Sequence, residues 1–165
     1  MTVGTALTLW SARAAFLLYA CALAGWLSGK FRAARLAWTS GFVVYLGHVA
    51  AAFQFHHHWS HAAAYAETAR QTADLVGVRL NWGIYLNYLF TMVWAFDVIW
   101  IWWSPQIYRR RPRWISVSIH SFMAFLFFNA TVVFGSGPVS WLGLTVTAAL
   151  GIRWSHRIRA ARMRS

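Results

Sequence analysis

The sequence predicts an all-α polytopic integral membrane protein, a bundle of five transmembrane helices consisting of four full spans and a short fifth. Three observations predict this fold class. Hydrophobic residues make up 59% of the 165 residues, whereas charged residues make up only 11%. The apolar residues fall into runs close to the ~17–25 residues that a helix needs to cross a bilayer. The basic residues cluster in alternate connections, as in proteins that cross a membrane several times.

The apolar segments form one transmembrane domain over residues 1–165. The expected spans are approximately 6–29, 36–55, 82–103, 115–134 and 139–154. The fifth span is the shortest, and its glycines lower its helix propensity. The long connection over 56–81 is rich in Ala, Glu, Arg and Gln and contains no proline. We therefore expect this connection to continue as helix on the extracytoplasmic side.

Charge placement predicts the orientation of the bundle. In a five-span protein, twelve of the fifteen Lys and Arg residues fall on one side: Lys30, Arg32, Arg35, Arg109, Arg110, Arg111, Arg113, Arg153, Arg157, Arg159, Arg162 and Arg164. The positive-inside rule assigns that side to the cytoplasm. The N-terminus is then extracytoplasmic and the C-terminus cytoplasmic, in a bacterial-type inner membrane. We expect the tryptophans near the basic ends to anchor at the headgroups: Trp26, Trp38, Trp100, Trp102, Trp103, Trp114 and Trp154.

Composition also excludes several function classes. The formal net charge of +12 does not predict nucleic-acid binding, because basic binding patches lie on otherwise polar surfaces. The sequence has no GxxxxGK[ST] phosphate-binding loop, no GxSxG motif and only one cysteine. With three carboxylates in the whole chain, an autonomous hydrolase or an ATP-driven pump is not expected. Whether the protein is an enzyme of another kind stays open.

The strongest candidate site is a histidine cluster at the outer end of the second span. It contains His56, His57, His58 and His61. On a continuous helix His57 lies one turn from His61, so two imidazoles would converge on one face. With Glu67 nearby, this is the beginning of a site for copper, zinc or iron. The alternative is a rim of histidines that bind lipid headgroups and water without a metal.

Polar residues inside the predicted spans form a second group of candidates. Asp97 and His120 lie at similar depth in the third and fourth spans, so we expect a hydrogen bond or ion pair between them. Asn87 and Asn129 match in the same way near the outer end. These pairs would either hold the two helices together or line a proton path.

His48 lies near the middle of the second span. Met92 of the third span lies at nearly the same height, so His–Met ligation of haem b is geometrically open. The alternative is a core histidine that binds Thr91 or a backbone carbonyl.

Charged residues on the outer side complete the set. Arg70 and Asp74 are four residues apart and are expected to pair across one helical turn. Arg13, inside the first span, either extends its guanidinium to the headgroups or pairs with Glu67 or Asp74.

Three functional hypotheses follow from these residues. The first is a small membrane protein that binds a transition metal or haem at the extracytoplasmic edge, as a redox or accessory subunit of a larger complex. The second is a purely structural subunit without a cofactor. The third is a small proton or ion channel or transporter that uses Asp97 and His120. The expected partners are the lipid bilayer and other membrane subunits or further copies of the chain.

Overall fold

The computed structural model describes residues 2–76 and 83–129, which form helices joined by short turns and contain no strand. The helices are α1 (Val3–Leu27), α2 (Phe31–Phe55), α3 (His61–Val76), α4 (Gly83–Trp103), α5 (Pro105–Arg110) and α6 (Arg113–Phe128). By length and composition α1, α2 and α4 are able to cross a membrane, and α6 is a shorter apolar helix. The all-α class is confirmed for the described part of the chain. The predicted fifth span and the end of the fourth lie outside it.

The first two helices form a tight antiparallel hairpin. The end of α1 has a left-handed glycine, Gly29, at a φ of 73°. The N–H of Lys30 donates to the carbonyl of Gly25 at 2.8 Å, and that of Gly29 donates to Trp26 at 3.1 Å. This pair of hydrogen bonds is the Schellman motif, which ends a helix. The motif needs a left-handed residue, and glycine adopts that conformation without steric strain because it has no Cβ. The chain therefore reverses within three residues, Ser28 to Lys30.

Small residues bring α1 and α2 close together. A Cβ added to Gly25 would lie 3.0 Å from the Cβ of Ala34, and one added to Gly4 would lie 2.6 Å from Cγ of Phe55. Glycine and alanine at such contacts allow two helix backbones to approach closely, the usual packing of helices in membranes. The hairpin is thus packed along its whole length.

The core is aromatic and is built from α1, α2, α4 and α6. Its buried members are Phe16, Tyr19, Ala22, Trp38, Phe90, Trp94, Met123 and Phe127. Trp38 and Trp94 have no exposed surface, and their ring centroids are 5.0 Å apart. The prediction that Trp38 anchors at the headgroups is therefore wrong, because its ring points into the bundle. Trp102, Trp103 and Trp114 are exposed, as interface residues are expected to be.

The bundle has two chemically different ends. The indole N–H of Trp102 donates to Oγ1 of Thr39 at 2.8 Å, and the guanidinium of Arg109 lies 4.6 Å from the ring of Phe31. These contacts place the α1–α2 connection beside the α4–α6 connection, and we call this the arginine end. The opposite end carries the α2–α3 connection, residues 56–60, and is called the histidine end.

The connection predicted as continuous helix contains a break. Helix α2 ends at Phe55, and α3 begins again at His61. Helix α3 then packs against α4, with ring centroids 6.4 Å apart for Tyr65 and Tyr85 and 5.8 Å apart for His61 and Tyr88. Helix is therefore confirmed over 61–76, but its continuity with α2 is not.

Candidate functional site

The break between α2 and α3 is a histidine turn, residues 56–60. His58 and Trp59 adopt left-handed backbone conformations, with φ of 47° and 58°. Such values are uncommon for residues other than glycine. The N–H of Trp59 donates to the carbonyl of Phe53 at 3.0 Å, and its indole N–H donates to Oε1 of Gln54 at 2.7 Å. These two bonds fold the turn back onto the last residues of α2.

The turn changes the expected arrangement of the imidazoles. His57 lies in the turn and His61 is the first residue of α3, so the prediction that they stack on one helix face is wrong. The ring of His57 is 5.7 Å from that of Phe53. His56 and His58 are exposed. Three imidazoles thus extend from a short reversal of the chain, and the fourth, that of His61, extends from the start of α3.

The electrostatic surroundings of His57 favour its neutral form. Partial burial lowers its pKa below the ordinary value, and the neighbouring His56 lowers it further, while Glu67 acts in the opposite direction. A neutral imidazole is the form that binds a metal ion. His57 is therefore in the ligand form at neutral pH.

Glu67, the predicted carboxylate ligand, is bound to Arg70. Its two oxygens accept from Nε and Nη2 of Arg70 at 3.0 and 2.7 Å, and Asp74 accepts from Nη1 at 2.9 Å. The predicted pair of Arg70 with Asp74 is confirmed. Among the residues that the structure describes, no group of three or more His, Cys, Asp or Glu side chains is placed to hold a metal ion.

His48 and Met92 are not brought together. Nδ1 of His48 donates to the carbonyl of Thr8 at 2.9 Å, a bond to a backbone carbonyl of the kind expected for a core histidine. Thr91 instead bonds the hydroxyl of Tyr45 at 3.0 Å. Met92 is 62% exposed and lies on the outer surface of α4. The predicted pairing of His48 with Met92 is therefore not formed within one chain.

Asp97 has partners that the sequence reasoning missed. It is fully buried, accepts from the hydroxyl of Tyr108 at 2.7 Å and forms an ion pair with Arg111. Arg111 also donates from Nε to Oγ of Ser116 at 2.8 Å, and its guanidinium lies 3.9 Å from the ring of Tyr108. Burial and the charge of Asp97 raise the pKa of Tyr108, so its hydroxyl stays protonated as a donor. We call Asp97, Tyr108 and Arg111 the buried clamp.

The predicted pair of Asp97 with His120 is wrong. Helix α5 folds back at the arginine end, so Tyr108 and Arg111 reach the carboxylate instead of α6. His120 lies among aromatic rings, with centroids 4.9 Å from Trp26 and 5.4 Å from Trp38. Its Nδ1 is buried and has no hydrogen-bond partner among the residues that the structure describes. This packing gives no support to a proton path that runs through both residues.

The remaining predicted polar contacts also differ. The amide of Asn129 donates to the carbonyl of Phe125 in its own helix at 2.7 Å, so the predicted match with Asn87 is not formed. Asn87 is exposed on α4. The guanidinium of Arg13 lies 4.7 Å from the ring of Trp10 rather than on a carboxylate. Arg13 therefore does not pair with Glu67 or Asp74, and both carboxylates bind Arg70.

Comparison with protein-family models, with curated proteins and with solved structures finds no match to this chain.

Proposed function

We propose that this chain is a small accessory protein of a bacterial-type inner membrane that binds a transition-metal ion at the histidine turn, on the extracytoplasmic side. The observation that carries the proposal is the turn itself. It holds His56, His57 and His58 within a short reversal of the chain, and His61 follows at the start of α3. Imidazole is a common ligand of copper, zinc and iron.

Backbone conformation and charge support the same site. Consecutive left-handed residues such as His58 and Trp59 are the kind of backbone outlier that accompanies ligand sites. The lowered pKa of His57 keeps that side chain able to bind a metal at neutral pH. The Arg-rich connections lie at the opposite end of the bundle, which under the positive-inside rule puts the turn outside the cytoplasm.

The arrangement of ligands supports an accessory role. Since the described residues hold no assembled group of three ligands, the coordination shell would be completed by water or by a partner subunit. Glu67 would join only by leaving Arg70. In a larger membrane complex, a neighbouring subunit would supply the missing ligands.

A haem is the second form of this proposal, and one contact favours it. The bond from Nδ1 of His48 to the carbonyl of Thr8 leaves Nε2 as the ligating atom, an orientation typical of metal-bound histidines. Because Met92 lies on the outer surface of α4, the second axial ligand would come from a partner. Haem b would then lie within the membrane rather than at its edge.

The test is metal analysis of full-length protein purified without a polyhistidine tag. We expect about one ion of copper, zinc or iron per chain. The double variant His57→Ala/His61→Ala should lose most of this metal. The matched control is His156→Ala, which removes a histidine from outside the turn and should leave the metal content unchanged.

An optical spectrum of the same samples separates the two forms of the proposal. A Soret band that survives His57→Ala/His61→Ala but is lost in His48→Ala would support haem. Metal content that is equal in wild type and the double variant, without a Soret band, would refute both forms and favour a purely structural subunit.

A further inference from the structure

An open cleft of about 650 Å³ lies at the arginine end, between the α1–α2 connection and α5. Four cationic side chains line it, those of Lys30, Arg32, Arg35 and Arg109. The cleft is at the opposite end of the bundle from the histidine turn. Its role is therefore independent of the proposed metal site.

The acidic residues of the chain are engaged outside this cleft. The whole sequence contains three, Glu67, Asp74 and Asp97. Glu67 and Asp74 bind Arg70 on α3, and Asp97 forms an ion pair with Arg111. Among the described residues, no carboxylate neutralises the four positive charges of the cleft. The cleft therefore favours an anion from outside the protein.

Two of the guanidinium groups are already oriented. Arg35 lies 4.0 Å from the ring of Trp102, and Arg109 lies 4.6 Å from the ring of Phe31. Within the described ranges, Nε of Arg35 is buried and has no hydrogen-bond partner. Stacking on an aromatic face fixes the guanidinium plane and leaves its N–H edge free, the geometry that binds phosphate through two parallel hydrogen bonds.

The first turn of α2 adds donors to the cleft. Helix α2 begins at Phe31, and its N-cap residue, Lys30, makes no side-chain capping bond. Phe31, Arg32 and Ala33 line the cleft. The N–H groups at the start of a helix have no partners within the helix and, with the helix dipole, favour an anion. The cleft therefore combines cationic side chains with the N-terminus of a helix.

Apolar surface flanks this polar site. Leu36, next to Arg35 on α2, is 56% exposed, and Ile107, two residues before Arg109 on α5, is 62% exposed. A free phosphate ion would make no use of such side chains, whereas the acyl chains of a lipid would pack on them. The combination indicates an amphipathic ligand with a phosphate headgroup.

We propose that the cleft binds the phosphate of an anionic phospholipid from the leaflet at the arginine end. The headgroup lies against Lys30, Arg32, Arg35 and Arg109, and the acyl chains extend along the outer surface of the bundle. Basic pockets on the cytoplasmic side of membrane helices bind such headgroups through the same chemistry. The bound lipid would hold the α1–α2 hairpin to α5.

The test measures binding of acyl-labelled diphosphatidylglycerol to full-length protein in non-ionic detergent. The variant is Lys30→Gln/Arg32→Gln, because both residues are exposed and their loss removes no packing. Each cation near an anionic lipid surface contributes about 1 kcal/mol to binding. The loss of two cations should therefore lower the affinity of this variant for diphosphatidylglycerol about 30-fold. The matched control is Arg110→Gln/Arg113→Gln, two exposed arginines outside the cleft, for which salt screening should keep the loss below about threefold.

Two further ligands identify the source of the phosphate. Acyl-labelled phosphatidylcholine should bind about 10-fold more weakly than diphosphatidylglycerol, because its headgroup carries no net charge. Inorganic phosphate should bind wild type much more weakly than diphosphatidylglycerol does, because it has no acyl chains to pack beside Leu36 and Ile107. If the two double variants lose the same diphosphatidylglycerol affinity, the lipid is attracted by the overall positive charge and not by a specific site. That result would overturn the proposal. Tight binding of inorganic phosphate that depends on Lys30 and Arg32 would overturn the lipid as its ligand.

Discussion

Replacing Asp97 by Asn removes the buried negative charge at the arginine end and keeps the shape of the side chain. The carboxylate accepts from the hydroxyl of Tyr108 at 2.7 Å and pairs with Arg111. The side chain of Asp97 is 0% exposed and that of Arg111 is 4% exposed, so Asp97→Asn leaves a buried guanidinium without a counterion. Removing one partner of a buried ion pair typically costs about 3–5 kcal/mol. We expect this loss in the free energy of unfolding.

The assay is reversible unfolding in mixed detergent and dodecyl sulfate micelles, followed by tryptophan fluorescence. Arg111→Met alone should also be destabilising, because it leaves Asp97 buried and unpaired. The double variant Asp97→Asn/Arg111→Met removes both charges and should recover at least about 2 kcal/mol relative to the sum of the single losses. The control is Asp74→Asn, whose pair with Arg70 is solvent-exposed, so that the free energy of unfolding should stay nearly unchanged.

Two results would refute this reasoning. A loss below about 1 kcal/mol for Asp97→Asn would place the clamp in a solvated environment, where ion pairs contribute little. If the losses in the free energy of unfolding of the two single variants simply add in the double variant, Asp97 and Arg111 do not interact.

Three other predictions concern packing, membrane hydrogen bonding and pH. Gly25→Val should cost about 1–3 kcal/mol in the unfolding assay, because a Cβ at this position lies 3.1 Å from the backbone of α2. The control is Gly47→Val, which should be near neutral because a Cβ at this position has no neighbouring atom within 4 Å. Thr39→Val should cost about 0.5–1.5 kcal/mol in the same assay by removing the acceptor of the Trp102 indole; an unchanged stability would contradict the bond. Because partial burial lowers the pKa of His57 below its ordinary value of 6.5, NMR titration of its imidazole ring in the metal-free protein should show a midpoint below pH 6.5. A midpoint above pH 6.5 would contradict this sign.

Hydropathy predicted the long helices well and their charged ends less well. The predicted third span, 82–103, differs by one residue from α4, Gly83–Trp103. The predicted second span began at Leu36, but α2 begins at Phe31 and includes Arg32 and Arg35. Charged residues end a hydrophobic run, yet they are good helix formers and do not end a helix.

The histidine turn had one local sequence signal, Ser60, whose Oγ accepts from the N–H of Ala63 and caps the start of α3. Residues 56–60 contain neither Gly nor Pro, the usual helix breakers, and Ala-rich sequence follows them. The break depends on the two bonds that hold Trp59 against Phe53 and Gln54, which no periodicity reveals. The left-handed conformation of His58 is likewise set by this local packing.

The partners of Asp97 depended on the path of the chain after α4. Charge placement assigned the run of arginines over 109–113 to the cytoplasmic side, and three of its members are exposed, Arg109, Arg110 and Arg113. Helix α5 folds back and turns Arg111 inward to the acid. One signal was available, since a buried acid requires a cation and this run is the nearest one along the sequence.

The opposite placement of the histidine and arginine ends is the central claim, and cysteine accessibility tests it most directly. In a Cys21→Ala background, which removes the only native cysteine, His58→Cys and Arg110→Cys each provide one exposed thiol. Intact spheroplasts are treated with a membrane-impermeant maleimide before and after permeabilisation. We expect His58→Cys to be labelled in intact spheroplasts and Arg110→Cys only after permeabilisation. Labelling of both variants before permeabilisation, or of neither, would contradict the claim.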